Sequence, residues 1–345
     1  MSAICRAKKL QFVGLVAVVL CFTPFLAVSQ SGSRVQKLAD IEFDAIAEMS
    51  GLAVSRRYED VIWMHNDSGD EPRLFATNFQ GRVIMPSFLR NFYHGEEAES
   101  GKQPWPGLSI ATAANIDWED IAVDDDFIYI ADMGNNGNAR RDLGVYLLAE
   151  PNPRSRPIAR PFKFIPVRYP EQESYPPSPP ANWQFDSEAV FVQQGRLYFL
   201  TKHRGLSINE PAAGTHLYRL DTTDSDRIND LTRIDSFDDA FFITAAELSP
   251  DGLQLAAVGY TELWLFENPL GVDGWLSGQA RRLELDIDFT GFIESLTWLE
   301  SDSLLIGNED EEWFTVKVSD LSLHDDVSRT EQGLREFRDY VIRRR

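Results

Sequence analysis

Apolar and polar positions recur along the chain in one unit, repeated five times. Each copy has an acidic or small residue pair, an apolar segment, a short polar turn, a second apolar segment and a closing polar group. The copies span residues 48–67, 117–136, 186–203, 244–260 and 292–309. A third apolar segment follows each copy, at residues 74–77, 145–148, 216–220, 263–266 and 313–316. Short apolar runs bounded by turn residues indicate strands, and a weaker fourth strand usually follows.

Repeats of four antiparallel strands are typical of a β-propeller, in which radial repetition leaves only short sheet edges. The pattern therefore predicts an all-β chain of four-stranded blades, five by repeat count. The repeats are unevenly spaced, with 69 residues from Leu52 to Ile121 but 48 from Leu248 to Leu296, so a sixth blade remains open. The last repeat lacks an outer strand, and residues 35–43 are predicted to supply it and close the ring.

Segments outside the repeats carry their own signals. Residues 151–180 hold ten of the eighteen prolines, which cannot donate to a sheet ladder and therefore predict a long loop or an edge. Residues 328–331 (SRTE) match a capping box, and Leu334, Phe337 and Val341 follow at helical spacing. The chain is thus predicted to end in a helix over 328–345, docked on the outside of the propeller domain at 30–327.

The first residues resemble an export signal. Three basic residues precede an almost wholly apolar stretch at 10–26, and small residues follow at 27–29. We expect a signal peptide over residues 1–29 and an exported protein, periplasmic or extracellular, with no stable membrane span after cleavage. A retained anchor is the alternative, because the apolar run approaches the length that spans a bilayer.

Composition narrows the function classes. Both cysteines, Cys5 and Cys21, lie in the predicted leader, so the mature chain would offer no disulfide, thiol nucleophile or zinc-thiolate site. The 33 Lys+Arg and 54 Asp+Glu residues give a net charge of −21, which becomes −24 without the three basic residues of the leader. A nucleic-acid backbone would repel such a chain. We expect a globular monomer, helped by cations that neutralise clustered carboxylates.

Three glutamates are candidate metal ligands. Aligning the repeats on their first apolar residue places Ser50, Glu119, Glu188, Ala246 and Glu294 at equivalent positions, near the start of each innermost strand. Carboxylates that meet around one axis repel unless a cation, a proton or water intervenes. Hard oxygen ligands without cysteine select Ca²⁺ or Mg²⁺, so we expect a Ca²⁺ site at Glu119, Glu188 and Glu294. Alternatively, these acids cap loop amides or face water.

Further polar residues at strand starts and ends are candidate ligand-binding groups. They are Asp67, Asp117, Asp120, Asp132, Asn136, Lys202, Glu247 and Glu309. Residues 67–70 and 134–138 fit tight turns equally well. His65 and His203 end two second strands and are the candidate general bases, able to activate water for hydrolysis.

Several motifs together resemble a family of exported bacterial β-propeller proteins. They are HNDSG (65–69), DWEDIA (117–122), ADMGNN (131–136), DSEA (186–189) and SPDG (249–252). More distantly, one acidic or amide residue per blade is similar to the calcium-dependent lactonases of the gluconolactonase and paraoxonase type and to esterase-like propellers. The resemblance implies a propeller fold and, by analogy only, a calcium-dependent hydrolytic activity.

Two functions remain open from the sequence. The first is a metal-dependent hydrolase of a small ester, lactone or phosphoester, which convergent carboxylates favour. The second is a non-catalytic propeller that binds a protein or glycan on its loop face, which the lack of a G-x-S-x-G nucleophile motif favours.

Overall fold

The computed structural model describes residues 34–179, 181–268, 273–325 and 328–344, so the predicted signal peptide lies outside the described residues. The chain is all-β with a C-terminal helix. The strands up to the second repeat are β1 (Val35–Asp40), β2 (Met49–Val54), β3 (Ile62–Asn66), β4 (Arg73–Thr77), β5 (Tyr93–His94), β6 (Gln103–Pro104) and β7 (Leu108–Ile110). The second and third repeats hold β8 (Trp118–Val123), β9 (Phe127–Asp132), β10 (Gly144–Ala149), β11 (Ile158–Ala159), β12 (Lys163–Arg168), β13 (Ser187–Gln193), β14 (Arg196–Thr201), β15 (Ala213–Leu220) and β16 (Asn229–Phe241).

The last two repeats complete the strand set and carry the helices. Their elements are β17 (Ile243–Leu248), β18 (Gln254–Gly259), β19 (Glu262–Glu267), β20 (Gln279–Glu284), α1 (Ile287–Thr290), β21 (Ile293–Glu300), β22 (Ser303–Asn308), β23 (Glu312–Lys317), β24 (Ser322–Leu323) and α2 (Ser328–Arg344). Short 3-10 turns lie at Ser87–Leu89, Trp275–Ser277 and Val318–Asp320. Within the described ranges, no helix combines the length and apolar character needed to cross a bilayer.

The sheets form five blades around a closed ring of inner strands. Strand order within the blades is β2-β3-β4-β7, β8-β9-β10-β12, β13-β14-β15-β16, β17-β18-β19-β20 and β21-β22-β23-β1. The inner strands contact one another in the cycle β2, β8, β13, β17, β21 and back to β2. The propeller prediction is therefore confirmed, and the described residues form five blades.

The ring closes through the N-terminal strand, as the sequence predicts. β1 pairs antiparallel with β23, with Val35 opposite Val316 and Asp40 opposite Glu312. Val35 is buried in the apolar core shared by the last two blades. The last blade therefore takes its outer strand from the opposite end of the chain, which leaves no gap between first and last repeats.

The proline-rich segment 151–180 is only partly the loop that its prolines predict. It contains β12, the outer strand of the second blade, with Pro166 opposite Gly144 of β10. β12 also pairs in parallel with β16 at Val167 and Arg168, which joins the second and third blades. As the outer strand of its blade, β12 can include Pro166, which has no N–H to donate. The Pro166 carbonyl oxygen accepts from Asn229 Nδ2 at 2.9 Å.

The C-terminal helix is confirmed, but it does not dock on the outside. Its apolar residues Leu334, Phe337 and Tyr340 pack with Phe242, just before inner strand β17, and with Tyr260, just after the second strand β18. α2 therefore covers part of the face where the inner strands begin. The predicted capping box involves the side chains of residues 328 and 329, which lie outside the described side chains.

Candidate functional site

Each inner strand carries a β-bulge near its start. The register shifts skip one residue in each blade, namely Gly51, Glu119, Glu188, Thr244 and Glu294. A bulge adds one residue to a strand and re-aims its side chain, often beside an active site. The sequence alignment thus found the equivalent position in three blades. It was wrong for Ser50 and Ala246, because the distance from the bulge to the first large apolar residue differs in those two blades.

The three bulged glutamates line one central cavity of about 320 Å³. This volume lies at the lower end of the range for small-molecule sites. Its ionisable lining groups are Asp67, Glu119, Glu188, Lys202, Arg204, Tyr260, Glu294 and Glu309. Its remaining lining groups are Asn136, Ile208, Asn209, Pro211, Phe242, Phe292, Phe337 and Val341. Seven of the predicted site residues are therefore present: Asp67, Glu119, Asn136, Glu188, Lys202, Glu294 and Glu309.

An acidic triad, Asp67, Asp117 and Glu119, lies beside this cavity, and two of its members, Asp67 and Glu119, line it. One ligand oxygen from each residue can be chosen so that all three lie within 4.8 Å of one another. Burial raises the pKa of Asp67 and of Asp117 to about 6 and the pKa of Glu119 well above its usual range. Repulsion adds to burial, from Glu188 on Asp67 and Glu119 and from Asp67 on Asp117. Three convergent carboxylates match the hard oxygen donors that calcium and magnesium prefer. The triad could therefore hold a metal ion.

Gly134 leaves the room that the triad needs. A Cβ at this position would lie 1.9 Å from Glu119 Oε1 and 2.5 Å from Asp117 Cγ. The Gly134 N–H donates to the Asp117 carbonyl oxygen at 3.1 Å, which fixes the backbone against the acidic residues. The Glu119 and Asp117 carboxylates therefore pack directly against the Gly134 backbone. A side chain at position 134 would clash with both.

Arg140 and Asp132 hold the backbone next to the triad through hydrogen bonds. Arg140 donates to Asp132 Oδ1 at 2.8 Å and to the Gly134 carbonyl oxygen at 2.7 Å. The same Asp132 oxygen accepts from the Asp117 N–H at 3.2 Å. Asp132, a predicted ligand-binding residue, is thus not among the described residues that line the cavity and instead holds the backbone that carries Asp117.

The other two glutamates are joined to an internal cation. Lys202 Nζ donates to Glu188 Oε2 and, at 3.1 Å, to the Tyr260 hydroxyl, which itself donates to Glu294 Oε1 at 2.5 Å. Burial opposes the charge on Lys202, but Glu188 and Glu294 outweigh that effect and raise its pKa. Lys202 therefore stays an ammonium and occupies the role that a metal ion was expected to play there.

The predicted grouping of Glu119, Glu188 and Glu294 around one ion is consequently not what the structure assembles. All three line the same cavity, yet among the described residues Glu119 shares its metal-capable group with Asp67 and Asp117. The lysine follows the second strand of the third blade, so no alignment of inner strands could reveal its partners.

Arg204 is a cavity residue that the sequence analysis missed. It is 7% exposed, donates to Asn136 Oδ1 and to the Ile208 carbonyl oxygen, and lies 3.6 Å from Asp186. Its buried Nε–H has no hydrogen-bond partner among the described residues. The spacing Lys202-x-Arg204, two cations on one side of an extended segment, was the signal that could have found it.

The segment after β9 is a turn, as the alternative interpretation predicts. Asn138 has a φ of 47°, and its N–H donates to the Asn135 carbonyl oxygen at 2.6 Å. Asn136 within this turn nevertheless lines the cavity and accepts from Arg204. Turn formation and cavity lining are therefore compatible here.

The two predicted general bases lie away from the cavity lining. His65 is fully buried, with Nδ1 3.1 Å from the Asn66 carbonyl oxygen, and burial lowers its pKa to about 4. His203 Nε2 lies 2.8 Å from Thr201 Oγ1, its ring is 4.4 Å from that of His216, and burial lowers its pKa to about 3. Both imidazoles are neutral packing groups, and neither is among the described residues that line the cavity.

Asp120 and Glu247 connect neighbouring blades rather than reach the cavity. Asp120 accepts from the Val190 N–H of the next inner strand at 2.8 Å. Glu247 accepts from Thr297 Oγ1 and from the Trp298 N–H, each at 2.8 Å. Neither belongs to the described cavity lining. These carboxylates satisfy buried donors between strands, which is the capping alternative left open by the sequence.

No protein-family model and no curated protein matches the sequence. Solved structures match at 10–12% identity. A luciferin-regenerating enzyme has 11% identity and a TM-score of 0.42, over 84% of this chain and 78% of that chain. The PQQ-bound aldose sugar dehydrogenase of Streptomyces coelicolor has 10% identity and a TM-score of 0.41, over 84% and 98%. The extracellular domain of a hybrid two-component system of B. thetaiotaomicron has 12% identity and a TM-score of 0.33, over 77% and 27%. These are distant likenesses of fold and carry no argument about activity.

Proposed function

We propose that this chain is a divalent-cation-dependent hydrolase of a small ester, lactone or phosphoester, with Ca²⁺ as the cation. The observation that carries the proposal is the acidic triad beside a cavity that also contains buried Lys202 and Arg204. Three carboxylate ligands suit calcium. The predicted export would place the chain where calcium-binding modules work at 10⁻⁴–10⁻³ M affinities, in order of magnitude.

The triad residues Asp67, Asp117 and Glu119 would hold the ion, and Gly134 would keep the two blade-two carboxylates in place. Bound calcium would polarise the carbonyl or phosphoryl oxygen of the substrate. Buried Arg204, which lines the cavity, would add positive charge near the negative charge that develops on that oxygen. In hydrolysis, water adds to the acyl carbon or phosphorus, the bond to the leaving oxygen breaks, and that oxygen takes up a proton.

The described cavity lining contains carboxylates but no histidine. The proton acceptor in this proposal is therefore a carboxylate. Lys202 stays protonated beside Glu188, so it binds and orients rather than accepts a proton.

Hydrolysis of a substrate panel tests the proposal. Phenyl acetate, dihydrocoumarin and p-nitrophenyl phosphate are incubated with the full chain in CaCl₂ or in EDTA. We expect one substrate class to be hydrolysed with calcium and to lose at least tenfold in rate with EDTA or in D117N. D125N, an exposed aspartate of the same blade, is the matched control. Calcium binding without turnover of any panel member would favour the binding-module function instead.

A further inference from the structure

One end of the cavity joins aromatic rings to carboxylates. Tyr260, Phe292 and Phe337 line it together with Glu294 and Glu309. The rings of Tyr260 and Phe337 stack at 5.4 Å, and Phe292 lies 4.9 Å from Tyr260. Aromatic faces carry negative potential, so this end presents both π-faces and carboxylates to whatever enters.

The charge balance of the cavity favours a cation. Both cationic lining residues are already paired, Lys202 with Glu188 and Arg204 within 3.6 Å of Asp186. Glu309 has no salt bridge to any described residue. Burial raises the pKa of Glu309, and the Lys202 charge lowers it. Asp67 and Asp310 repel this carboxylate, and Glu294 lies within hydrogen-bond reach, where two carboxyl groups must share a proton. A ligand cation could replace that proton and remove the repulsion.

The same rings already bind cations within the molecule. Lys202 Nζ lies 4.9 Å from the Tyr260 ring centroid and 5.3 Å from that of Phe242, and Arg204 lies 5.0 Å from that of Phe242. Recognition of ammonium groups by aromatic faces is strongest where water is displaced. Arg344 lies 5.8 Å from the Phe292 centroid, whereas no cation of the described residues lies over the Phe337 ring. One face of Phe337 stacks against Tyr260, so the other face is the one that a ligand would contact.

We propose that this end of the cavity binds an organic cation, an ammonium or quaternary ammonium group on a small apolar body. The charged head lies between Glu309 and the rings of Phe292 and Phe337. As a statement about substrate class, that the hydrolysed ester or lactone carries such a group, the inference rests on the function proposed above. As a statement about binding, it stands independently, because it uses none of the triad residues.

Calorimetric titration of the full chain with two isosteric probes tests it. Butyrylcholine carries a quaternary ammonium, and 3,3-dimethylbutyl butyrate has the same shape without charge. We expect the cationic probe to bind at least tenfold more tightly, and E309Q or F337A to remove at least fivefold of that preference. E300Q, an exposed glutamate of the same blade, should keep it. Equal affinities, or no binding of the cationic probe at millimolar concentration, would overturn the inference.

A parallel titration separates the two proposals. D117N should lose calcium binding and still bind butyrylcholine, whereas E309Q should show the reverse. If calcium does not bind to the wild type while butyrylcholine does, the hydrolase proposal fails and the organic-cation site stands. If calcium binds and the two probes do not differ, the organic-cation inference alone is wrong.

Discussion

At Gly134, the missing side chain decides the positions of two carboxylates. We expect Gly134→Ala to weaken calcium binding at least tenfold, because its Cβ would lie 1.9 Å from Glu119 Oε1 and must displace that group. Gly137→Ala is the control, since a Cβ there meets no atom within 4 Å. Both variants are titrated with CaCl₂ after circular dichroism shows that they are folded. Equal calcium affinities in the two variants would contradict this role of Gly134.

Lys202 neutralises a buried carboxylate, so its loss should be costly. Lys202→Met leaves Glu188, which is 2% exposed, with only the longer ion pair to Arg204 at 3.9 Å. Removing one member of a buried ion pair typically costs about 3–5 kcal/mol. The measurement is the free energy of unfolding in urea. Lys317→Met, which removes an exposed pair with Asp302, should cost less than about 1 kcal/mol. A similar loss in both variants would show that Lys202 is not the compensating charge.

At the scale of elements, the N-terminal strand closes the ring. Deleting residues 34–43 would expose the edge of β23 and the core around Val35, so we expect a loss of several kcal/mol and a lower melting temperature. Within β1, Val35→Asp should destabilise strongly and Gln36→Asp little, since Val35 is buried and Gln36 exposed. An unchanged cooperative transition in the deletion variant would refute closure.

The elements also show how far the sequence could lead. Five repeats, the closing strand and the C-terminal helix were predictable because each depends on local apolar patterns. The docking position of α2 was not, since Phe337 pairs with rings from blades remote in sequence. The convergence of Glu119, Glu188 and Glu294 was found by alignment, but their different partners were not. Lys202 lies 14 residues from Glu188, across the β13–β14 hairpin, but 58 from Tyr260. Only the packing of neighbouring blades brings Tyr260 to it.

At the scale of the whole molecule, stability should depend on pH and calcium together. The folded pKa of Asp67 and of Asp117 is raised from 3.8 to about 6. A raised carboxyl pKa contributes stability at low pH, and that contribution is lost as pH rises from about 4 through about 6. Without divalent cations, these two groups therefore disfavour folding most above pH 6.

Calcium should offset this loss only where the triad is ionised. An ion that binds the folded state alone adds about 2.7 kcal/mol at a hundredfold excess over its Kd. We expect CaCl₂ to raise the melting temperature clearly at pH 7.5 and much less at pH 5, where protons compete for the carboxylates. Thermal unfolding in EDTA and in CaCl₂ at both pH values measures this difference. A calcium effect that is larger at pH 5 would contradict the assignment.

The most direct measurement is calorimetric titration of CaCl₂ into the full chain at pH 7.5. The account predicts one ion per chain in the wild type and loss of binding in D117N and E119Q. Binding should be retained in E294Q, because Glu294 accepts a hydrogen bond from the Tyr260 hydroxyl and is not a member of the triad. It would be contradicted by a wild type that binds no calcium at millimolar concentration, or by a D117N variant that binds calcium as the wild type does.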